Sequence, residues 1–206
     1  ILSWWIIAMK ENKETIEYYE KHAAEYYNQT VDVDMSDIYD QFLSHLESGA
    51  HILDAGCGSG RDSLYFIEQG YQVTAIDAAE ELAQLAEDLI GQEVLTMHLE
   101  ELNFKREFDG IWACASLLHL KSERIELVLK KFAQALLAQG IIYVSLKAGA
   151  GEKITCGRYF NYYTEQEIVN LATAVEQLEV IKVWQTDHRK NSRSPIWFNL
   201  LLQKSG

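Results

Sequence analysis

Three glycines, Gly56, Gly58 and Gly60, stand at alternate positions in the stretch HILDAGCGSGRDS, residues 51–63. An apolar run ending in Asp54 leads into them. A turn this bare lets a ligand lie directly against the backbone, and a strand–turn–helix of this composition suits nucleotides. The dinucleotide fingerprint is G-x-G-x-x-G, whose third glycine would fall at 61, where this chain carries Arg61. With that glycine one residue early, the turn matches a pyrophosphate poorly. The helix N-terminus behind it still suits an anion such as a carboxylate. Asp54 occupies a place that nicotinamide binders keep small and apolar, and a carboxylate there suits a positively charged amine. Asp77 ends a second apolar run about 20 residues further on, where an acid accepts hydrogen bonds from ribose hydroxyls. The set asks for a ligand with an amino-acid end beside the glycines, then a ribose, then a base.

These residues need a frame. Apolar residues at helical spacing predict helices over 10–27 and over 36–47, the second with Ser36 as N-cap. Strands are expected at 51–56, 72–77, 93–99, 108–116 and 140–149, with helices at 61–69, 80–90, 122–138 and 165–174, the last capped by Thr164. Two final strands, 178–188 and 195–204, joined by a polar loop, read as an antiparallel hairpin. Repeated β–α alternation implies an α/β fold: a doubly wound, mostly parallel, seven-stranded sheet with an antiparallel C-terminal hairpin. In such sheets ligands sit outside the carboxyl ends of the strands. That rule picks out 54–60, 77–79, 98–102, 116–119 and the loop 147–160.

The net charge of −13 disfavours a partner whose affinity comes from phosphate neutralisation, so nucleic acid is not expected. A small-molecule acceptor fits better, on a monomer or homodimer. The three cysteines, Cys57, Cys114 and Cys156, are far apart and form no metal-binding pair; reduced thiols in a cytoplasmic protein are the simple reading, with no metal. Residues 1–9, ILSWWIIAM, are too short to span a bilayer and lack a basic leader, and read as an extension of cloning or start-site origin before a single domain over 10–206.

ILDAGCGSGRDS, VTAIDAA, MHLEELNF, FDGIWACASLLHL and GIIYVSLKAG together resemble the class I S-adenosylmethionine-dependent methyltransferases, the small single-domain bacterial type that includes tellurite-resistance-like and type 11–12-like members. The resemblance covers roughly residues 15–204 and implies a Rossmann-like fold with S-adenosylmethionine as cofactor. It implies that Asp54, through water or directly, and the Gly56 and Gly58 backbones hold the methionine end, with Cys57 and Gly60 in the same cofactor site. Asp77 takes the ribose, with a helix N-cap as its competing or additional role, and Ala78 packs on the adenine. His98 stands where the family usually has an acid, so His98 and the Leu99 backbone are left for the adenine edge. Ala115, Ser116 and Leu117 would lie beneath the sulfonium. Methyl transfer is an in-line displacement that needs alignment more than acid–base chemistry. If a base is used, His119 is the first choice and Tyr159 the second, with a structural hydrogen bond as the competing role for His119. Tyr18, Tyr19, Tyr26 and Tyr27 are expected to pack or to close over the pocket. Arg158, Tyr159, Tyr162 and Tyr163, in a loop over 151–164, either clamp an anionic or aromatic substrate or belong to an ordinary loop with its aromatics packed on the sheet. Two rival readings are a catalytically silent binding module and a nicotinamide-dependent oxidoreductase; Arg61 and Asp54 weigh against the second.

Overall fold

The glycine turn hangs on β1 (His51–Ala55), four of whose five residues are buried, as a central parallel strand covered on both faces requires. The computed structural model describes residues 13–187 and 195–206; the expected N-terminal extension and the loop 188–194 lie outside the described residues. β2 (Gln72–Asp77) and β4 (Phe108–Ala113) flank β1 in parallel, with Asp54 level with Ala75 on one side and Trp112 on the other. β3 (Val94–Thr96) and β5 (Leu136–Lys147) extend the sheet on either side. β8 (Leu178–Asp187) and β9 (Ile196–Lys204) complete it antiparallel, in the order β3-β2-β1-β4-β5-β9-β8. This is the expected seven-stranded, doubly wound sheet. Strand order reverses between β1 and β4, which opens a crevice at their carboxyl ends.

Side-chain alternation divides the core between the two faces. Leu53, Ala55, Ile111 and Val144 meet Ile125, Leu129 and Phe132 of α6 (Ser122–Ala135) and Ile168 of α7 (Glu165–Thr173). Ile52, Trp112 and Tyr143 meet Tyr39 and Phe42 of α3 (Ser36–Leu43) and Phe66 of α4 (Arg61–Glu68). Trp112 stacks on Tyr143 with ring centroids 4.0 Å apart. On the crevice side, a helix over 13–21 (α1) and α2 (Ala23–Thr30) lie against α5 (Glu80–Ile90), burying Ala23, Ala79 and Leu82 together.

Several expected boundaries move. The expected helix over 10–27 breaks at His22 and continues to Thr30. The helix at 36–47 stops at Leu43, and its first turn is held by the Asp34 carboxylate, which accepts from Ser36 N–H, so Ser36 is not the N-cap. The third strand is only Val94–Thr96 because the chain turns at once into a 3-10 turn, Leu99–Glu101. The expected helix to 138 ends at Ala135, because Leu136 pairs with Phe108 and draws the chain into the sheet. The expected loop over 151–164 is a hairpin, β6 (Gly151–Thr155) with β7 (Arg158–Tyr162). Its two-residue turn holds Cys156 and Gly157 at φ of 52° and 79°, a conformation that suits a hairpin. Cysteine is a poor advertisement for that turn.

Candidate active site

The turn after β1 is built to be close to its neighbours. The Gly56 and Cys57 N–H groups both donate to the Ile76 carbonyl at 2.9 Å, tying the turn to the end of β2. Gly56 has φ +90°, and a Cβ there would lie 2.6 Å from Ser116 Cβ. A Cβ at Gly58 would come within 3.2 Å of the Tyr26 ring. Gly60, at φ +79°, serves a different purpose: it is the N-cap of α4, and a Cβ there would press on Ala86 of α5 at 3.0 Å. It packs helix against helix, away from the crevice.

A cavity opens beside this turn with about 730 Å³ of empty space, open water included. Gly56, Gly58, Asp77, Ala78, His98, Leu99, Ala115, Ser116 and His119 all line it. Asp77 accepts from Gly58 N–H through Oδ2 and from Ala79 N–H through Oδ1, both at 2.9 Å. Burial raises its pKa, and these backbone donors pull it back. A carboxylate has about four lone-pair directions, so Asp77 keeps acceptors for a ligand. Ser116 Oγ is buried at the cavity with no hydrogen-bond partner. A free hydroxyl, a carboxylate with spare acceptors and a side-chain-free turn fit S-adenosylmethionine.

Other expected contacts are placed differently. Asp54 lines neither this cavity nor the one beside it; it is 1% exposed and accepts from Ser63 Oγ at 2.7 Å. Burial, reinforced by Asp62, pushes its carboxyl up to about 8. Leu117 is wholly buried in the core beneath the 3-10 turn Leu117–His119. Cys57 lines the neighbouring cavity only. Met97, Glu100, Cys114 and Leu82, not singled out from the sequence, line the first cavity. Nothing in their spacing marks them; only the crevice rule brings 98–102 into range.

His119 joins three elements. Its Nδ1 lies 2.7 Å from the Tyr159 carbonyl, which only accepts, so Nδ1 carries the proton. Nε2 is then the acceptor and receives the Tyr19 hydroxyl at 2.9 Å. Burial pushes the imidazole down to about 4, so it is neutral near pH 7. Its basic nitrogen is already committed to Tyr19. Tyr159 itself lines neither cavity; its carbonyl meets His119, and its N–H donates to Thr15 Oγ1 at 2.9 Å. The N-terminal segment is fixed at a second point by Glu20, whose carboxylate accepts from Glu80 and Glu81 N–H and so caps α5.

A second cavity, about 1340 Å³ with open water included, lies beyond the wall formed by Tyr19, Tyr26, Gly56, Cys114, Ala115 and His119, which line both spaces. It is also lined by Arg61, Asp62, Lys147, Arg158, Phe160 and Trp197, with the Arg158 guanidinium 5.6 Å from the Tyr19 centroid and the Phe160 ring 4.9 Å from that of His119. Asp62 is saturated: Arg61 donates to both of its oxygens, at 2.6 and 3.0 Å, and Tyr39 Oη and Trp112 Nε1 add one donor each. Of the expected clamp, Arg158 faces this cavity, while Tyr162 and Tyr163 line a separate one by α7. Lys147 falls inside the expected 147–160 segment but is not singled out by residue type. It ends β5 at the carboxyl edge of the sheet, and that position was the available signal.

The family model described as tellurite resistance protein TehB matches residues 18–192. An uncharacterized methyltransferase of Staphylococcus carnosus is 24% identical over 93% of this chain and 95% of its own length. A ubiquinone biosynthesis O-methyltransferase of Rickettsia bellii is 26% identical over 65% of this chain and 62% of its own. Among solved structures, 1,6-didemethyltoxoflavin-N1-methyltransferase of Burkholderia thailandensis, with bound 1,6-didemethyltoxoflavin and S-adenosylhomocysteine, superposes with a TM-score of 0.82 at 22% identity, covering 97% of this chain and 91% of that one. That likeness establishes the fold. Among the described residues no helix is long and apolar enough to cross a membrane. The family match spans both sides of the crevice, from Tyr18 past Arg158, and with the fold and the residues around the glycine turn it identifies the protein: the chain belongs to the TehB family, within the class I S-adenosylmethionine-dependent methyltransferases.

Proposed function

We propose that the enzyme methylates a small molecule held in the second cavity, by in-line displacement at the border where the two cavities adjoin. The observation that carries this reading is the shared border: Tyr19, Gly56, Gly58, Ala115 and His119 line both spaces, so the two cavities abut at the glycine turn and a donor in one lies next to an acceptor in the other. S-adenosylmethionine, when bound, supplies a methyl carbon already activated by its sulfonium. The chain aligns and desolvates. Gly56 and Gly58 offer backbone to the methionine end, Ser116 offers its hydroxyl, and Asp77 accepts from the ribose. Ala78, His98 and Leu99 flank the base. Asp54 acts from behind the turn by way of Ser63, while Gly60 packs α4 on α5 and Leu117 anchors its 3-10 turn in the core. His119 is a positioning residue that holds Tyr19 at the border of the two cavities, and Tyr159 contributes its carbonyl to that hold. The net charge of −13 supports a small acceptor over a nucleic acid. The Burkholderia enzyme, whose structure holds 1,6-didemethyltoxoflavin, offers a precedent on the same fold.

The test is to incubate the protein with S-adenosylmethionine and a library of small metabolites and to measure S-adenosylhomocysteine by mass spectrometry. The expected result is product above the no-acceptor background with one or a few compounds. Methyl transfer only to tRNA or protein would overturn the small-molecule reading. Binding without turnover on any acceptor would favour a silent module.

A further inference from the structure

The second cavity collects positive charge in an acidic protein. Among the charged residues that line it, Arg61 and Asp62 cancel as a bidentate pair, which leaves Lys147 and Arg158. No carboxylate among the described residues pairs with either one. Both sit on aromatic rings instead. Lys147 Nζ is 4.0 Å from the centroid of Phe160 and 5.5 Å from that of Trp197. The Arg158 guanidinium is 5.2 Å from the same Phe160 centroid and 4.4 Å from that of Tyr18. Two cations thus share one ring in a chain of net charge −13. Arg158 Nε is buried with no hydrogen-bond partner. Burial and the Arg158 charge push Lys147 down to about 8. A pair of like charges half out of water is costly unless a counter-ion arrives, and the remaining neighbours, neutral His119, the hydroxyl of Tyr19 that Arg158 donates to, those of Tyr18 and Tyr26, and the Arg61–Asp62 pair, supply none.

The rest of the lining says what shape the counter-ion has. Val33, Met35, Ile38 and Leu118 are apolar, and Phe160 and Trp197 present ring faces. The space is far larger than an inorganic oxyanion needs. We propose that the acceptor is an aromatic or heteroaromatic acid that binds and reacts as its anion, with its charge against Lys147 and Arg158 and its ring against Phe160 and Trp197. This rests on the reading of the second cavity as the acceptor site. Ionisation releases the acceptor's proton to solvent before transfer. The anion's lone pair then forms the bond to the methyl carbon, the carbon–sulfur bonding pair stays on sulfur, and the products are a methylated neutral acceptor and a neutral thioether. No general base is required in that step, in keeping with the committed His119. The two cations make the acceptor nucleophilic by favouring its ionised form.

The probe is 4-nitrophenol, whose absorbance reports its ionisation, titrated into the protein saturated with S-adenosylhomocysteine. Bound probe should be phenolate, with its apparent pKa lowered by one unit or more. Lys147→Met should weaken phenolate binding by about tenfold or more and abolish that shift, while Lys147→Arg retains both within a few-fold. S-adenosylhomocysteine affinity, read by calorimetry on the same samples, should be unchanged in Lys147→Met, because Lys147 lines only the second cavity. Three results would overturn the proposal: bound probe that stays neutral, equal binding of 4-nitroanisole, or no probe binding while S-adenosylhomocysteine still binds. Displacement by inorganic phosphate at equal affinity would reassign the cavity to a free oxyanion. Failure of S-adenosylhomocysteine itself to bind would instead strike the methyl-transfer reading.

Discussion

Asp77→Asn keeps the shape of the side chain and removes its charge. In the native structure the two carboxylate oxygens each accept a backbone N–H at 2.9 Å, from Gly58 and from Ala79. An amide has one acceptor oxygen and one NH₂, so whichever way it turns one of those N–H groups faces a donor. A hydrogen bond to a charged group contributes about 1.5–3 kcal/mol. For folding, much of that loss is offset, because burial already disfavours the Asp77 charge. A net destabilisation near 1 kcal/mol is expected in urea unfolding. For the ligand there is no such offset: the ribose loses its charged acceptor and the Gly58 turn loses its tie. The same 1.5–3 kcal/mol then appears as a roughly 10- to 150-fold weaker dissociation constant for S-adenosylhomocysteine. Isothermal titration calorimetry of wild type and variant measures this directly. Unchanged affinity with lowered stability would show that Asp77 merely holds the turn and would refute its placement on the ribose.

Gly60→Ala should cost about 2–3 kcal/mol of stability in denaturant titration, the sum of a left-handed φ and pressure on Ala86; a neutral result would show that α4 and α5 can part without loss. Trp112→Phe takes one donor from the buried Asp62 and should destabilise by about 2 kcal/mol, with Asp62→Asn costing more because Arg61 then loses its partner. The ring of His119 should show the Nδ1–H tautomer in ¹⁵N spectra and should not titrate from pH 8 down to pH 5. Its folded pKa lies below the ordinary 6.5, near 4, so its contribution to stability is complete above about pH 6.5 and is lost as pH falls toward 4. Titration at an ordinary value would restore His119 as a proton acceptor.

The legible parts of this molecule are those where chemistry and position lie close together in the chain. The glycine turn, Asp77 at the end of its strand and the β–α alternation could all be read, because each is set by local spacing. Gly60 is the instructive failure. It belongs to the glycine pattern, but its reason is Ala86 on another helix, which no local rule exposes. Asp54 likewise reads as a ligand contact, while packing turns it onto Ser63 and away from both cavities. The partners of His119 come from Tyr19 and Tyr159, 100 and 40 residues away, so its tautomer was beyond reach. Lys147 and Arg158 are brought together by the β6–β7 hairpin, and that hairpin was hidden by a cysteine in the turn.

The central claim is that the first cavity holds S-adenosylmethionine and that the glycine turn excludes a dinucleotide. Calorimetric titration of the wild-type protein with S-adenosylhomocysteine, and separately with NADH, tests it most directly. One-to-one binding of S-adenosylhomocysteine with no heat from NADH is the predicted result; NADH binding at equal or higher affinity, or no binding of S-adenosylhomocysteine, would contradict it.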